Sequence, residues 1–159
     1  MALEVVVDKS DASHAKVSLA GVLNEDWPKE LTMLGSQIGD TVTFEFSGLK
    51  SINSYGIRNW ATFIRSISKG RTVFFQGVPS IMVLQMNVIP DISGGATVKS
   101  FYGDFLCEDC GEEVVHKFET PLTPEKALAD SQGLRCKECG EALEMEVDID
   151  SYFGFLAQD

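Results

Sequence analysis

Four cysteines in the last third of the chain are the side chains best suited to chemistry. They form two pairs, Cys107-x2-Cys110 and Cys136-x2-Cys139, and a glycine follows each pair directly. Four thiolates that converge from two tight turns are the donor set of a tetrahedral zinc ion, and a glycine with positive φ can close each turn. The spacing therefore predicts a closed, structural zinc site rather than a catalytic one.

Two disulfides or four free thiols are the alternative interpretations of these cysteines. The pairs lie 25 residues apart, longer than in most zinc ribbons, and a short helix over 125–130 accommodates the extra length. Residues 1–5 carry no basic segment before an apolar run, so no export signal is indicated, and disulfides are uncommon in the cytosol. We therefore favour zinc, with His116 as a substitute ligand that four cysteines make unnecessary.

The charge of the chain limits its classes of partner. Its 159 residues include 24 acidic and 13 basic side chains, a net charge of -11. Nucleic-acid and anionic-membrane binding depend on Lys and Arg, and no segment approaches the roughly 18 apolar residues of a membrane span. No nucleophile elbow, phosphate-binding glycine loop or catalytic His–carboxylate spacing occurs. We expect a non-enzymatic cytoplasmic protein that binds proteins or small ligands, not nucleic acid or membranes.

Strands and helices alternate through the first hundred residues. Apolar runs and alternation predict strands over 3–7, 16–19, 41–46, 72–76 and 96–101. A 3.6-residue period predicts helices that start near Pro28 and that cover 54–68 and 79–87. This order predicts an α/β fold with a mixed sheet and helices mainly on one face, plus a small zinc ribbon. The predicted domains are 1–103 and 104–159.

Two segments predict how the C-terminal part packs. The helix over 79–87 is apolar on all sides. We assign Ile81, Leu84 and Val88 to the face that packs on the sheet. The remaining apolar faces must then be covered by another part of the protein or by a partner. We expect the zinc module to supply it, and a Met-rich partner or homodimer surface is the alternative. Apolar and acidic residues alternate over 143–150, which predicts a strand with one wet face. The side chains that follow and dock on the body are Tyr152, Phe153, Phe155 and Leu156.

Four short motifs lie in the first hundred residues. They are Gly21 followed by Asn24, FEFSGL at 44–49, INSYGI at 52–57 and GRTVFF at 70–75. Together they resemble a STAS domain, the fold of bacterial anti-sigma-factor antagonists, over residues 3–101. The resemblance implies reversible binding to a protein, namely a serine-kinase anti-sigma factor or another ATPase.

The most specific motif reads Asn53-Ser54-Tyr55-Gly56, where the family usually has Asp-Ser-Ser-Gly. The resemblance implies that Ser54 is the residue that the partner kinase phosphorylates. Asn53 and Tyr55 depart from the family pattern, and the loss of the Asp charge favours a role without a switch. Asn53 or Ser54 is also a favoured helix N-cap, and a phosphate there would add about two negative charges at the positive end of the helix dipole.

The helix over 54–68 also carries a stripe of polar side chains. Arg58, Thr62 and Arg65 follow at i, i+4 and i+7 from one another, so they share a face beside Ser54. Such a stripe is either a solvated face or part of a docking surface. The predicted partner-binding residues are Asn53, Ser54, Tyr55, Arg58, Thr62 and Arg65. A constitutive STAS subunit of an ATP-driven lipid-transport complex and a ligand-sensing STAS domain are the alternative functions.

Overall fold

A computed structural model describes residues 3–11 and 13–157. Residues 1–2, 12 and 158–159 lie outside the described residues. Predictions for the chain start, the first turn and the chain end that fall on these positions lie outside them as well. The elements are β1 (Glu4–Asp8), β2 (His14–Leu23), α1 (Lys29–Thr32), β3 (Thr41–Ile52), α2 (Ser54–Ile67), β4 (Thr72–Gln76), α3 (Ser80–Val88), β5 (Thr97–Val98), β6 (Ser100–Leu106), β7 (Glu113–Glu119), α4 (Pro124–Gln132), β8 (Glu144–Met145) and α5 (Ile149–Tyr152).

The first sheet has five strands in the order β1-β2-β3-β4-β5. β1 is antiparallel to β2, and the other neighbours are parallel. Parallel neighbours need a crossover connection, and α1, α2 and α3 lie in those connections. This mixed sheet confirms the predicted α/β fold class.

One face of this sheet holds the main core. Phe44, Phe46 and Phe75 are fully buried there, and Trp60 of α2 packs on both Phe44 and Phe46 with ring centroids 5.4 Å apart. The Trp60 indole N–H donates to the carbonyl of Ile92 at 2.8 Å, which satisfies its buried polar atom. The periodic apolar face of α2 is therefore buried as its sequence predicts.

The second sheet is antiparallel, in the order β7-β6-β8. It is joined to the first by a bridge between Val78 and Phe101, with the Tyr102 N–H donating to the Val78 carbonyl at 2.8 Å. β6 continues across residues 103 and 104, where we placed the domain boundary. Buried side chains of both sheets belong to one hydrophobic cluster.

Several predicted elements differ in length. The strands predicted over 16–19 and 41–46 are longer, at His14–Leu23 and Thr41–Ile52. The helix after Pro28 has only four residues before a 3-10 turn over 34–36. The strand over 96–101 divides because residues 97–98 pair with β4, whereas β6 pairs with β7 and β8. The strand over 143–150 is limited to β8, because the Asp148 side chain accepts from the Asp150 N–H and caps α5.

The orientation predicted for α3 is wrong, and its cover includes α5 and the 3-10 turn over 153–157, which follow the cysteine turns in the chain. Leu84 and Val88 are exposed, and Met82, Val83 and Met86 are buried instead. The helix lies between the first sheet and the C-terminal segment, whose four docking side chains pack on the body. The Asn87 side chain donates to the Tyr152 carbonyl at 2.9 Å. No helix in the described ranges is long and apolar enough to cross a membrane.

Candidate metal centre and docking surface

The two Cys-x2-Cys turns have the same backbone geometry. The N–H of Cys107 donates to the carbonyl of Glu112 at 2.9 Å, and the N–H of Gly111 donates to the carbonyl of Cys107 at 2.7 Å. The second turn repeats both bonds, from Cys136 to Glu141 and from Gly140 to Cys136, each at 2.8 Å. Both glycines have positive φ, 79° and 78°, as the sequence predicts.

These turns bring the four thiols together. All four sulfur atoms lie within 4.8 Å of one another, and the cysteines are free rather than disulfide-bonded. The Cys107 and Cys139 sulfurs are 3.4 Å apart, and the Cys110 and Cys136 sulfurs are 3.5 Å apart, too far for a disulfide bond of about 2.05 Å. The arrangement can hold a metal ion. Among the described residues, His116 is not one of the grouped candidate ligands. Its ring packs edge-on against the ring of Phe118, with the centroids 4.8 Å apart.

Two of the thiols have pKa values shifted in opposite directions. The backbone N–H of Cys110 stabilises the Cys107 thiolate and lowers its pKa to about 7. At Cys139 the backbone N–H of Glu141 acts in the same direction, but the bond with Cys107, burial and the other two thiols raise its pKa to about 12. Cys107 therefore loses its proton more readily than Cys139, and a divalent ion bound among the sulfur atoms would stabilise their thiolate forms.

Asn53 provides the N-cap of α2 at the other predicted site. Its side-chain oxygen accepts from the Gly56 N–H at 2.9 Å, and its own N–H donates to the Leu23 carbonyl at 3.0 Å. A Cβ on Gly56 would lie 2.2 Å from that same carbonyl oxygen. The motif glycine is therefore required because the first turn of α2 lies directly against the end of β2.

A carboxylate that sequence reasoning missed lies next to this cap. The Asn53 amide donates to Glu25 Oε2 at 2.9 Å, and this hydrogen bond lowers the pKa of Glu25. The Asn53 side chain is itself uncharged, but its hydrogen bond holds the charged Glu25 carboxylate beside the helix cap. The two residues are 28 positions apart, and no local pattern links them.

Ser54, Tyr55 and Arg58 form an exposed group at the same end of α2. Ser54 is the first residue of the helix and is exposed. Tyr55 is 58% exposed, and the Arg58 guanidinium lies 6.0 Å from the centroid of its ring. A groove of about 430 Å³ runs beside them between α2 and α3. Its lining residues are Ile52, Asn53, Ser54, Ile57, Arg58, Ala61, Gln85 and Ile89.

The two remaining predicted partner-binding residues lie further along α2. Thr62 is exposed and its hydroxyl donates to the Arg58 carbonyl at 3.3 Å, whereas Arg65 lines a different, larger groove of about 950 Å³. The structure thus gathers four of the six predicted residues at the N-terminal end of α2 and leaves Arg65 at the opposite end. No protein-family model matches the chain, and a comparison with curated proteins found no relative.

Proposed function

We propose that this chain is a non-enzymatic protein-interaction module whose docking surface is the N-terminal end of α2. The observation that carries the proposal is the exposed Ser54, Tyr55 and Arg58 group beside an apolar groove. An aromatic ring, a cation and an apolar depression are features that dominate the energetics of protein interfaces. On the side of α3, Gln85 and Ile89 line this groove.

A switch at Ser54 is the first form of this proposal. In keeping with the STAS resemblance, the partner would be a serine-kinase anti-sigma factor that phosphorylates Ser54. A phosphate on the first residue of α2 would meet the positive helix end and Arg58 one turn further on. It would add negative charge to an end of α2 where Asn53 already holds the Glu25 carboxylate, and so would change the charge of the docking surface. The helix cap would remain, because its bond from the Gly56 N–H to Asn53 does not use the Ser54 side chain.

A constitutive role is the second form, and the Glu25–Asn53 contact favours it. The Asn53 amide already holds the Glu25 carboxylate beside the cap of α2, so this end of the helix carries a negative charge before any modification. In this form the chain is a permanent subunit of an ATP-driven transport complex and its docking needs no phosphate.

Zinc is the metal that we propose for the four-cysteine cluster. Four thiolates with tetrahedral geometry select zinc or an iron–sulfur centre among the common metals, and two closed turns are typical of structural zinc. The cysteines fill all four positions, so the ion would hold β6, β7 and the segment before β8 together rather than catalyse a reaction. Replacement with cobalt tests this assignment: tetrahedral thiolate coordination gives intense visible absorption, and octahedral coordination would contradict it.

Capture of partners from the native cell tests the docking proposal, with mass spectrometry of both bait and prey. A serine kinase together with phosphate on Ser54 supports the switch. A transport ATPase together with unmodified Ser54 supports the constitutive subunit. Phosphate on Ser66, which is also exposed, but not on Ser54 would contradict the switch. Recovery of no ATPase-fold partner would contradict both forms.

A further inference from the structure

We propose that β7 is a self-association edge, which pairs antiparallel with β7 of a second copy of this chain. β7 is the outer strand of the second sheet, and no strand in the described part of the chain lies on its other side. Its seven residues pair with β6 without a bulge, and it contains no proline. It thus lacks two of the devices that keep exposed sheet edges from pairing.

The hydrogen bonds to β6 establish which backbone groups are free. The Cys107 N–H donates to Glu112, and the Thr120 N–H donates to Lys99. Residues of an antiparallel edge strand alternate between those that bond their neighbour and those that face outward. The even-numbered residues therefore bond β6, and Glu113, Val115, Lys117 and Glu119 direct their N–H and C=O groups to the free edge. The side chains of these four residues are exposed.

One register of self-pairing satisfies both charge and apolar contact. With the two-fold axis at Val115, the two Val115 side chains face each other and each Glu113 faces Lys117 of the other copy. Moving the axis to His116 would place Glu113 opposite Glu119, and moving it to Lys117 would place two lysines opposite each other. Val115 is 64% exposed, so the favoured register covers the most exposed apolar side chain of this strand.

The outer strand of the first sheet provides a contrast within the same molecule. β1 also carries an exposed valine, Val6, at 65% exposure, flanked by Glu4 and Asp8. A two-fold axis at Val6 would place Glu4 opposite Asp8 twice, and like charges directly opposite are destabilising. With the axis at the exposed valine, the charges of β1 therefore repel each other, whereas those of β7 attract each other.

Sedimentation equilibrium of the metal-loaded full chain tests the proposal. A strand-edge contact is small, so we expect a weak dimer with a dissociation constant on the order of 100 µM. Glu113→Lys and Lys117→Glu each convert both cross-strand attractions into repulsions, and each alone should weaken the dimer by about tenfold or more. All of these positions are exposed, so metal content and circular dichroism should stay as in the wild type.

Mixing the two charge variants is the decisive step. One chain then presents two lysines and the other two glutamates, so the mixture should form a heterodimer at least as tight as the wild-type dimer. Val6→Lys is the matched control on β1 and should leave the dissociation constant unchanged. The proposal is overturned if the wild type stays monomeric to about 1 mM, or if the mixture associates no better than either variant alone.

Discussion

Replacement of Phe153 by alanine should destabilise both sheets together. Phe153 is 2% exposed, and its ring centroid lies 5.3 Å from that of Phe118 and 6.1 Å from that of Phe101. Truncation of a fully buried phenylalanine costs about 3–5 kcal/mol, against a total stability of about 5–15 kcal/mol. Phe101 bridges to Val78 beyond the end of β4, so the lost packing should reach the first sheet.

Two spectroscopic probes can follow urea unfolding of this variant. The two tryptophans of the chain, Trp27 and Trp60, lie before residue 104 and report on the first sheet by fluorescence, whereas cobalt–thiolate absorption reports on the cysteine cluster. If both sheets form one cooperative unit, Phe153→Ala should move both transitions by the same 3–5 kcal/mol or so. Val88→Ala, at a position 76% exposed, is the control and should change stability by less than about 0.5 kcal/mol. A shift of the cobalt transition with an unmoved tryptophan transition would refute the single shared core.

Three other changes have directions that follow from the structure. Gly56→Ala would place a Cβ 2.2 Å from a backbone oxygen of β2 and should lower the free energy of unfolding in urea by about 3 kcal/mol or more. Gly133→Ala is the control and should cost little, because the atom nearest to its Cβ would be 3.6 Å away. Equal losses of stability in the two variants would contradict the close approach at Gly56. Gly111→Ala places an alanine at a φ of 79°, which should cost about 1–2 kcal/mol of stability and weaken metal binding in a chelator competition assay. Gly95→Ala, at a φ of 80°, is the control and should lower stability without changing metal binding. Burial lowers the pKa of His116, so the unfolded chain binds the proton more readily. The contribution of His116 to stability should then be complete above about pH 6.5 and lost as the pH falls through the folded pKa. In urea titrations, the free energy of unfolding of His116→Leu should fall less on acidification than that of the wild type. An equal fall in both would contradict this role of His116.

Local patterns predicted the elements whose environment is simple. β4 occupies the predicted residues 72–76, and α2 ends one residue before the predicted end, because a strict apolar period and an Asn cap specify the helix without help from distant residues. The four-cysteine cluster was equally predictable, since spacing and a following glycine determine each turn locally.

Features that depend on distant contacts were not predictable in this way. α3 is apolar on every side, so its sequence did not indicate which face the C-terminal segment would cover, and we assigned Leu84 and Val88 to the wrong side. The alternation over 143–150 did predict which residues are exposed, but not that Asp148 would cap a helix there. The Glu25–Asn53 contact at the docking surface joins two loops and has no local signal.

The most direct test of the docking surface is the affinity of the captured partner for two serine variants of α2. Ser54 and Ser66 are both exposed on the same helix, so Ser54→Asp and Ser66→Asp add the same charge at its two ends. If the N-terminal end of α2 is the docking surface, Ser54→Asp should weaken binding at least tenfold, or about 1.4 kcal/mol, and Ser66→Asp should leave binding unchanged. Equal affinities for both variants and the wild type would contradict the account.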